Sequence, residues 1–294
     1  MTTHFQIGDL RLDRVVESEF PVLEPAEVYP DWTPADLVRD MSWLAPRFYD
    51  PAAGKLVLAF QGFVIRSHGK TILVDTCVGD CKQRRRPVFD RQGWVWLDSL
   101  RSAGFAPEDI DIVLCTHFHV DHVGWNTRLV DGRWVPTFPN ARYLFTRKEW
   151  DYWRSGEGES NIARTGDYMT DSIIPVVEAG LVDFVDTDHR IDDAVSLLPA
   201  PGHTPGLVCV SLQSQGQHAI IASDLLHTVL QIAYPDWSTR FCADPALSRR
   251  TRREFLERYA NTDVLILPAH FPAPTAGHIV CEHNAFRFRF VGEG

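Results

Sequence analysis

The stretch CTHFHVDHVGWN, residues 115–126, follows the apolar run IVL (112–114) and places three histidines and an aspartate within six positions, His117 to His122. Side chains alternate in extended backbone, so His117 and His119 point to one side while Phe118 faces the other. A turn after His119 brings Asp121 and His122 into the same space from a second direction. A lone histidine on a strand is most simply a packing or hydrogen-bonding residue. Four such side chains buried together at a strand end are costly without a partner, and a metal ion supplies one. Imidazole and carboxylate donors suit zinc, manganese, cobalt or iron, and thiolate is absent from the motif.

The surrounding sequence alternates strand and helix patterns. KLVLAFQGFVIRSHGKTILVDT (55–76) reads as a hairpin around SHGK, and GWVWLDSLRSAGF (93–105) as a helix ending on the C-capping Gly104. Further on, ARYLFT (141–146) reads as a strand, RKEWDYWR (147–154) as a helix start and LVCVSLQSQGQHAIIASD (207–224) as a second hairpin. PALSRRTRREFLERYA (245–260) reads as an amphipathic helix and TDVLILPAH (262–270) as a final buried strand. This mixture predicts layered α/β packing. IVLCTH, LLPAPGH, AIIASD and VLILPAH each run from an apolar strand into His or Asp, where a rigid sheet can aim side chains into one cleft.

The motif HFHVDH resembles the H-x-H-x-D-H signature of the metallo-β-lactamase-fold hydrolases. The resemblance continues through APGHTPG with His203, ASDLLH with Asp224 and PAHFP with His270, and covers ILVDT with Asp75 as an aspartate behind the ligands. It implies a four-layer αββα sandwich and two divalent metal ions, zinc foremost. His117, His119 and His203 would hold one ion, Asp121, His122 and His270 the other, and Asp224 would bridge them. Aspartate at position 224 is unlike the true β-lactamases that use cysteine there, and the pattern is closer to the lactonase and organophosphate-hydrolase branch. DLLHTVLQIAYPDW (224–237) with GHI (277–279) resembles the methyl-parathion-hydrolase-like group. Acyl-homoserine-type lactonases usually have tyrosine three residues after the bridging aspartate; here that residue is His227.

The chemistry so implied is attack by a hydroxide bridging two metals on an ester, lactone or phosphotriester. Asp121 would orient it or pass a proton to the leaving group. His227 would either donate to the developing oxyanion or merely orient Asp224. Phe118, Trp125, Tyr234 and Trp237 are candidates for an apolar wall around a small-molecule substrate, with core packing the simpler reading of each.

The chain has 294 residues, 45% hydrophobic and 23% charged, with no linker or repeat, and reads as one domain over 1–294. Residues 1–54 are expected as an N-terminal extension, with Pro21–Pro51 forming a flap over the cleft, a homodimer contact or an ordered surface extension. The net charge of −10 argues against a nucleic-acid or anionic-membrane partner, and the basic run KQRRRP (82–87) reads as a solvated loop, with an anion-binding or subunit-contact loop as the sharper alternative. No basic flank, apolar leader or membrane-length window is seen, so a cytoplasmic location is expected, with the six cysteines reduced. The C-x3-C pair Cys77 and Cys81 lacks a second Cys/His pair of matching spacing. The alternatives kept open are a mononuclear iron dioxygenase and a thiolester hydrolase of the same fold. A di-iron oxidoreductase is disfavoured because His119 stands where those enzymes resemble H-x-E-x-D.

Overall fold

In a computed structural model that describes residues 3–283 and 285–292, the strand-forming runs assemble into two large sheets and one small hairpin. The strands are β1 (Thr3–Ile7), β2 (Leu10–Leu23), β3 (Tyr49–Asp50), β4 (Lys55–Ser67), β5 (Lys70–Val74), β6 (Ile112–Leu114), β7 (Thr127–Val130) and β8 (Arg133–Pro136). They continue as β9 (Arg142–Thr146), β10 (Val182–Val185), β11 (Val195–Pro199), β12 (Val208–Ser214), β13 (Gln217–Ser223), β14 (Leu265–Pro268), β15 (Gly277–Glu282) and β16 (Ala285–Phe290). The first sheet has the order β1-β2-β4-β5-β6-β9-β10, with β3 on β4; the second runs β11 to β16 in sequence order. The helices are α1 (Pro25–Val28), α2 (Pro34–Leu44), α3 (Trp96–Ser102), α4 (Arg147–Arg154), α5 (Glu159–Thr165), α6 (Ile174–Glu178), α7 (Leu230–Ala233) and α8 (Pro245–Tyr259).

Alternation along the strands sorts residues between two cores. Ile72, Val74, Ile112 and Leu114 of the first sheet meet Val208, Val210, Ile221 and Leu267 of the second, and this cluster glues the sheets together. Leu73 and Val113 face the other way, into the cluster that holds Trp96 and Leu100 of α3, while Ile220 and Ile266 share it with Phe255 and Leu256 of α8. The result is the expected αββα sandwich. Two local choices match their chemistry. The turn between β4 and β5 puts His68 and Gly69 at φ 47° and 78°, as a two-residue hairpin needs. Helix α8 starts with Asp244 accepting from Leu247 N at 2.9 Å and Pro245 in its first turn. All six cysteines are free, and no helix among the described residues is long and apolar enough to cross a membrane.

Three expectations need correction. The first 23 residues are no appendage: β2 pairs with β4 along its whole length and the β1–β2 hairpin forms one edge of the first sheet. Residues 21–51 are packed wall, with Val28, Tyr29, Leu44, Phe48 and Tyr49 buried. Nor is β14 the last strand. AFRFRF (285–290) alternates and pairs with β15 in register, from Gly277 opposite Phe290 to Glu282 opposite Ala285.

The third correction concerns KQRRRP. Lys82 is fully buried, with Nζ donating to Thr127 Oγ1 at 2.5 Å and to the Asp171 carbonyl at 2.9 Å. Arg84 is buried too and forks onto the Asp171 carboxylate at 2.6 and 2.9 Å. Arg85 straps the loop to α5, through its backbone N–H to the Thr165 carbonyl and its guanidinium to the Ala163 carbonyl at 2.7 Å. A run of like charges stays in the interior only because one carboxylate serves two of them. Asp171→Asn would leave Lys82 and Arg84 buried without a counter-charge. It is expected to lower unfolding stability by about 3 kcal/mol, read from the denaturant midpoint at constant m-value.

Candidate metal centre

The site is built by turns that leave the C-terminal ends of β5, β6, β11, β13 and β14, carrying Asp75, His117–His122, His203, Asp224 and His270. Strands β5 and β6 are parallel, as are β13 and β14, so within each sheet two ends open on the same edge. Close approach of backbones fixes the turns against one another. A side chain on Gly124 would put its Cβ 1.8 Å from the Val78 carbonyl oxygen, so only glycine lets the loop after His122 lie on the loop after Asp75. Gly202, at φ 130°, plays the same part for His203: a Cβ there would lie 2.2 Å from Ser248 N at the start of α8.

Two groups of donor atoms result. Those of His117, His119, His203 and Asp224 all lie within 4.8 Å of one another, and so do those of Asp121, His122 and His270. Asp224 links the two. Its Oδ1 is 3.0 Å from His270 Nε2 and 3.2 Å from His122 Nε2, and its Oδ2 is 3.1 Å from both His203 Nε2 and His227 Nε2. His117 Nε2 stands 3.6 Å from the same Oδ2. Asp121 is less enclosed, with His270 Nε2 at 3.6 Å and His122 Nε2 at 3.9 Å.

The outer atoms of these rings are held in place. His122 Nδ1 donates to Asp75 Oδ2 at 2.8 Å, and His270 Nδ1 donates to the Ala59 carbonyl at 2.9 Å. His119 Nε2 lies 2.6 Å from the Asn161 carboxamide of α5, and His203 Nδ1 is 3.6 Å from Cys242 Sγ. Asp75 is itself pinned by the Thr116 N–H and hydroxyl, both at 2.8 Å. Fixing one ring nitrogen turns the other nitrogen's lone pair towards the centre, the usual arrangement behind metal-bound histidine. Glu149 braces the turns from below, accepting from Phe118 N at 3.0 Å, Gly206 N at 3.0 Å and Trp153 Nε1 at 2.7 Å.

Among the described residues, His117 Nε2, His122 Nε2, His227 Nε2 and Asp224 Oδ1 are buried and make no well-aligned hydrogen bond, despite the short distances among them. Each such atom costs about 1–3 kcal/mol if it stays unsatisfied. Burial and neighbouring imidazoles hold His117 and His119 well below the usual histidine range, so both are neutral with lone pairs to give. Burial opposes ionisation of Asp224, but His122, His270 and His227 outweigh it and hold the carboxyl well below its usual range. Burial lowers His122, His203 and His270, but Asp224 and their other polar neighbours outweigh it and raise all three, His203 to about 9, so a divalent cation would displace protons from these rings; the two groups fit one ion each with Asp224 shared.

A small cleft of about 60 Å³ opens above this floor. Val22, Leu23, Leu58, Phe60 and Phe89 give it an apolar wall, and Arg86, Asn161, Arg164 and Thr165 line it with His119, Asp121, His203, Asp224, His227 and His270. None of the four aromatics expected in that wall lines it. Phe118 is fully buried against Phe145, and Trp125 stacks on Trp96 with Nε1 bonded to Glu17 at 2.6 Å. Tyr234 and Trp237 stack on each other; Tyr234, its hydroxyl on Asp40, lines a separate groove beside α2, and Trp237 packs on the buried Tyr29. Strand alternation already sends Phe118 away from His117 and His119; proximity in sequence to a ligand says little about facing the same space. The wall comes instead from Val22, Leu23 and Phe60, whose strand patterns carried no functional mark, and from Arg86 in the basic run.

The family model described as the metallo-beta-lactamase superfamily matches residues 62–270. Among curated proteins, an N-acyl homoserine lactonase from Bacillus sp is 27% identical over 107 residues, 36% of this chain and 34% of the relative. The N-acyl homoserine lactonase AttM of Agrobacterium fabrum (strain C58 / ATCC 33970) is 37% identical over 78 residues, 24% of this chain and 26% of the relative. The chain thus spans about a quarter to two fifths of the length of the curated relatives it matches. Two solved structures share the fold over nearly the whole chain. AidC, described as a dizinc quorum-quenching lactonase in complex with a product, has a TM-score of 0.77 at 22% identity, covering 98% of this chain and 97% of its own. Hydrolase AbOPH of the beta lactamase superfamily has a TM-score of 0.80 at 21% identity, covering 99% and 97%. With the family match running from Gly62 to His270, across every turn that carries the site, the chain belongs to the metallo-beta-lactamase superfamily.

Proposed function

We propose that this protein is a two-metal hydrolase that cleaves a carboxylic ester or lactone, with phosphotriesters as a second class open to the same chemistry. The observation that carries the reading is Asp224, one buried carboxylate within 3.0 to 3.2 Å of imidazoles from both donor groups, at the floor of a cleft with an apolar wall. The lactonase relatives and the description of AidC as dizinc support the choice of substrate and of zinc. Two bound cations would supply a water deprotonated near neutral pH and positive charge for the oxygen of the scissile group.

The protein's own residues then have distinct tasks. Asp121 sits at the cleft surface, where a free carboxylate oxygen can orient the attacking water and pass a proton to the leaving group. His227 is held between a glutamine and the shared carboxylate. Gln231 Oε1 accepts from His227 N at 2.7 Å while Gln231 Nε2 donates to the Trp237 carbonyl at 3.0 Å, which fixes the amide orientation. His227 Nδ1 lies 3.2 Å from that Oε1 and its Nε2 3.1 Å from Asp224 Oδ2, so both ring nitrogens face acceptors. Burial pulls the ring down to about 4. The role that fits this geometry is positioning Asp224.

The alternative of a single-iron dioxygenase would leave Asp121, His122 and His270 grouped without a cation to share. A thiolester hydrolase with a helical substrate domain finds no such domain among the described residues, where α8 is followed by strands. Metal analysis with a substrate panel tests the proposal. About two ions per chain are expected, with hydrolysis of an aryl ester or acyl lactone abolished by chelation and restored by zinc; one iron and no hydrolysis would overturn it. His227→Ala is expected to loosen the Asp224 carboxylate and weaken metal affinity by about 10-fold or more, read by metal analysis and steady-state kinetics on the same preparation.

A further inference from the structure

Two arginines line the cleft without a carboxylate to neutralise them. Arg86 and Arg164 border the same space as Asp121 and the histidines, and neither makes an ion pair among the described residues, in contrast to Arg84 on Asp171. Their guanidinium carbons lie 5.6 and 6.0 Å from the centre of the Phe241 ring, which is in turn 6.4 Å from the His227 ring. Phe241 thus neighbours both the two cations and His227, an aromatic ring's reach from each. The apolar wall approaches through a different histidine, with the Phe60 ring 5.5 Å from that of His270.

Both arginines are on anchored supports. Arg86 belongs to the loop held by the buried Lys82 and Arg84 on Asp171, and Arg85 ties that loop to α5, which carries Arg164. One Nη1 hydrogen of Arg164 is spent on the Arg240 carbonyl at 3.1 Å, and the rest of its fork makes no hydrogen bond among the described residues. Two guanidiniums over one ring repel each other, and burial together with Arg86 draws Arg164 below its ordinary value. Placing them so, in a chain of net charge −10, favours an anion between them and little else.

We propose that Arg86 and Arg164 form an anion subsite of the cleft, and that the substrate is an ester or lactone bearing a carboxylate about one aromatic ring away from the scissile bond. This rests on the hydrolase reading above. The apolar wall would take the body of the molecule while the arginines hold its charged end. The charge would be read by forked hydrogen bonds to a planar carboxylate, and its contribution would weaken with salt.

The test compares 4-acetoxybenzoate with its methyl ester, two aryl acetates that differ in the remote charge, on the metal-loaded protein. The ratio of kcat/KM, anionic over neutral, is expected to exceed one by about 10-fold or more. It should collapse towards one in Arg86→Gln/Arg164→Gln, whose folding is checked by its thermal midpoint, and fall in wild type as salt is raised. A wild-type ratio at or below one, or a ratio unchanged in the double variant, overturns the subsite while leaving the hydrolase intact. If neither aryl acetate is cleaved, the hydrolase reading rests on the metal analysis and lactone panel above, and binding decides the subsite. Titration calorimetry with 4-acetamidobenzoate and its methyl ester then supports it if the acid binds more tightly in an arginine-dependent way, and overturns it if the two bind alike.

Discussion

One carboxylate organises this molecule. Asp224 follows β13 at a point where the strand's pairing with β14 slips by a residue and Ser223 adopts a φ of 46°. That irregularity turns the chain so that Asp224 faces back over the ends of both sheets, and five imidazole nitrogens gather within 3.6 Å of it. The same turn is riveted across the sandwich, since Ser223 Oγ lies 2.7 Å from Thr116 Oγ1, which holds Asp75, which holds His122. Without a counter-charge such a gathering of desolvated polar atoms would push the sheets apart; with one, it fastens them. The apolar layer between the sheets sets their distance, and the polar cluster sets their register at this edge.

Much of the fold was legible because the periodicities were clean. The hairpins over 55–76 and 207–224, α3 and α8 fall where the sequence places them, since long amphipathic runs with cap and turn residues leave little choice. The misreadings share a cause. The strand β2 carries Arg11, Asp13, Arg14, Glu17 and Glu19 among its apolar residues, and the charges mask a pattern that Arg14 and Asp13 satisfy by pairing, Asp13 with Arg11 and Arg14 with Glu19. Likewise KQRRRP looks solvated until Asp171, distant in sequence, is known to lie beneath it. Composition reports what a segment would prefer alone, and long-range partners overrule it.

The candidate site divides the same way. Ligand-type residues announce themselves because their cost of burial is high and they fall at strand ends, and the resemblance to the family's motif then named seven candidate donors before any geometry. The surfaces that face a substrate are ordinary residues made special by position. Val22, Leu23 and Phe60 are typical strand residues, and Arg86 is one arginine of three in a row. No local pattern separates Arg86, which lines the cleft, from Arg85, which binds a helix carbonyl.

Helix α5 carries a consequence for how this protein can change. Within seven residues it supplies Asn161, whose carboxamide sets the tilt of His119, and Arg164 at the cleft rim, and it is bolted to the neighbouring loop by Arg85. The cleft rim and the tilt of a donor histidine are therefore mounted on the same short lever. Retuning the rim by moving this helix disturbs a histidine of the donor set. The apolar wall is under a like constraint, since Leu58 and Phe60 flank Ala59, whose carbonyl holds His270, so drift towards new substrates is confined to side-chain exchange in place.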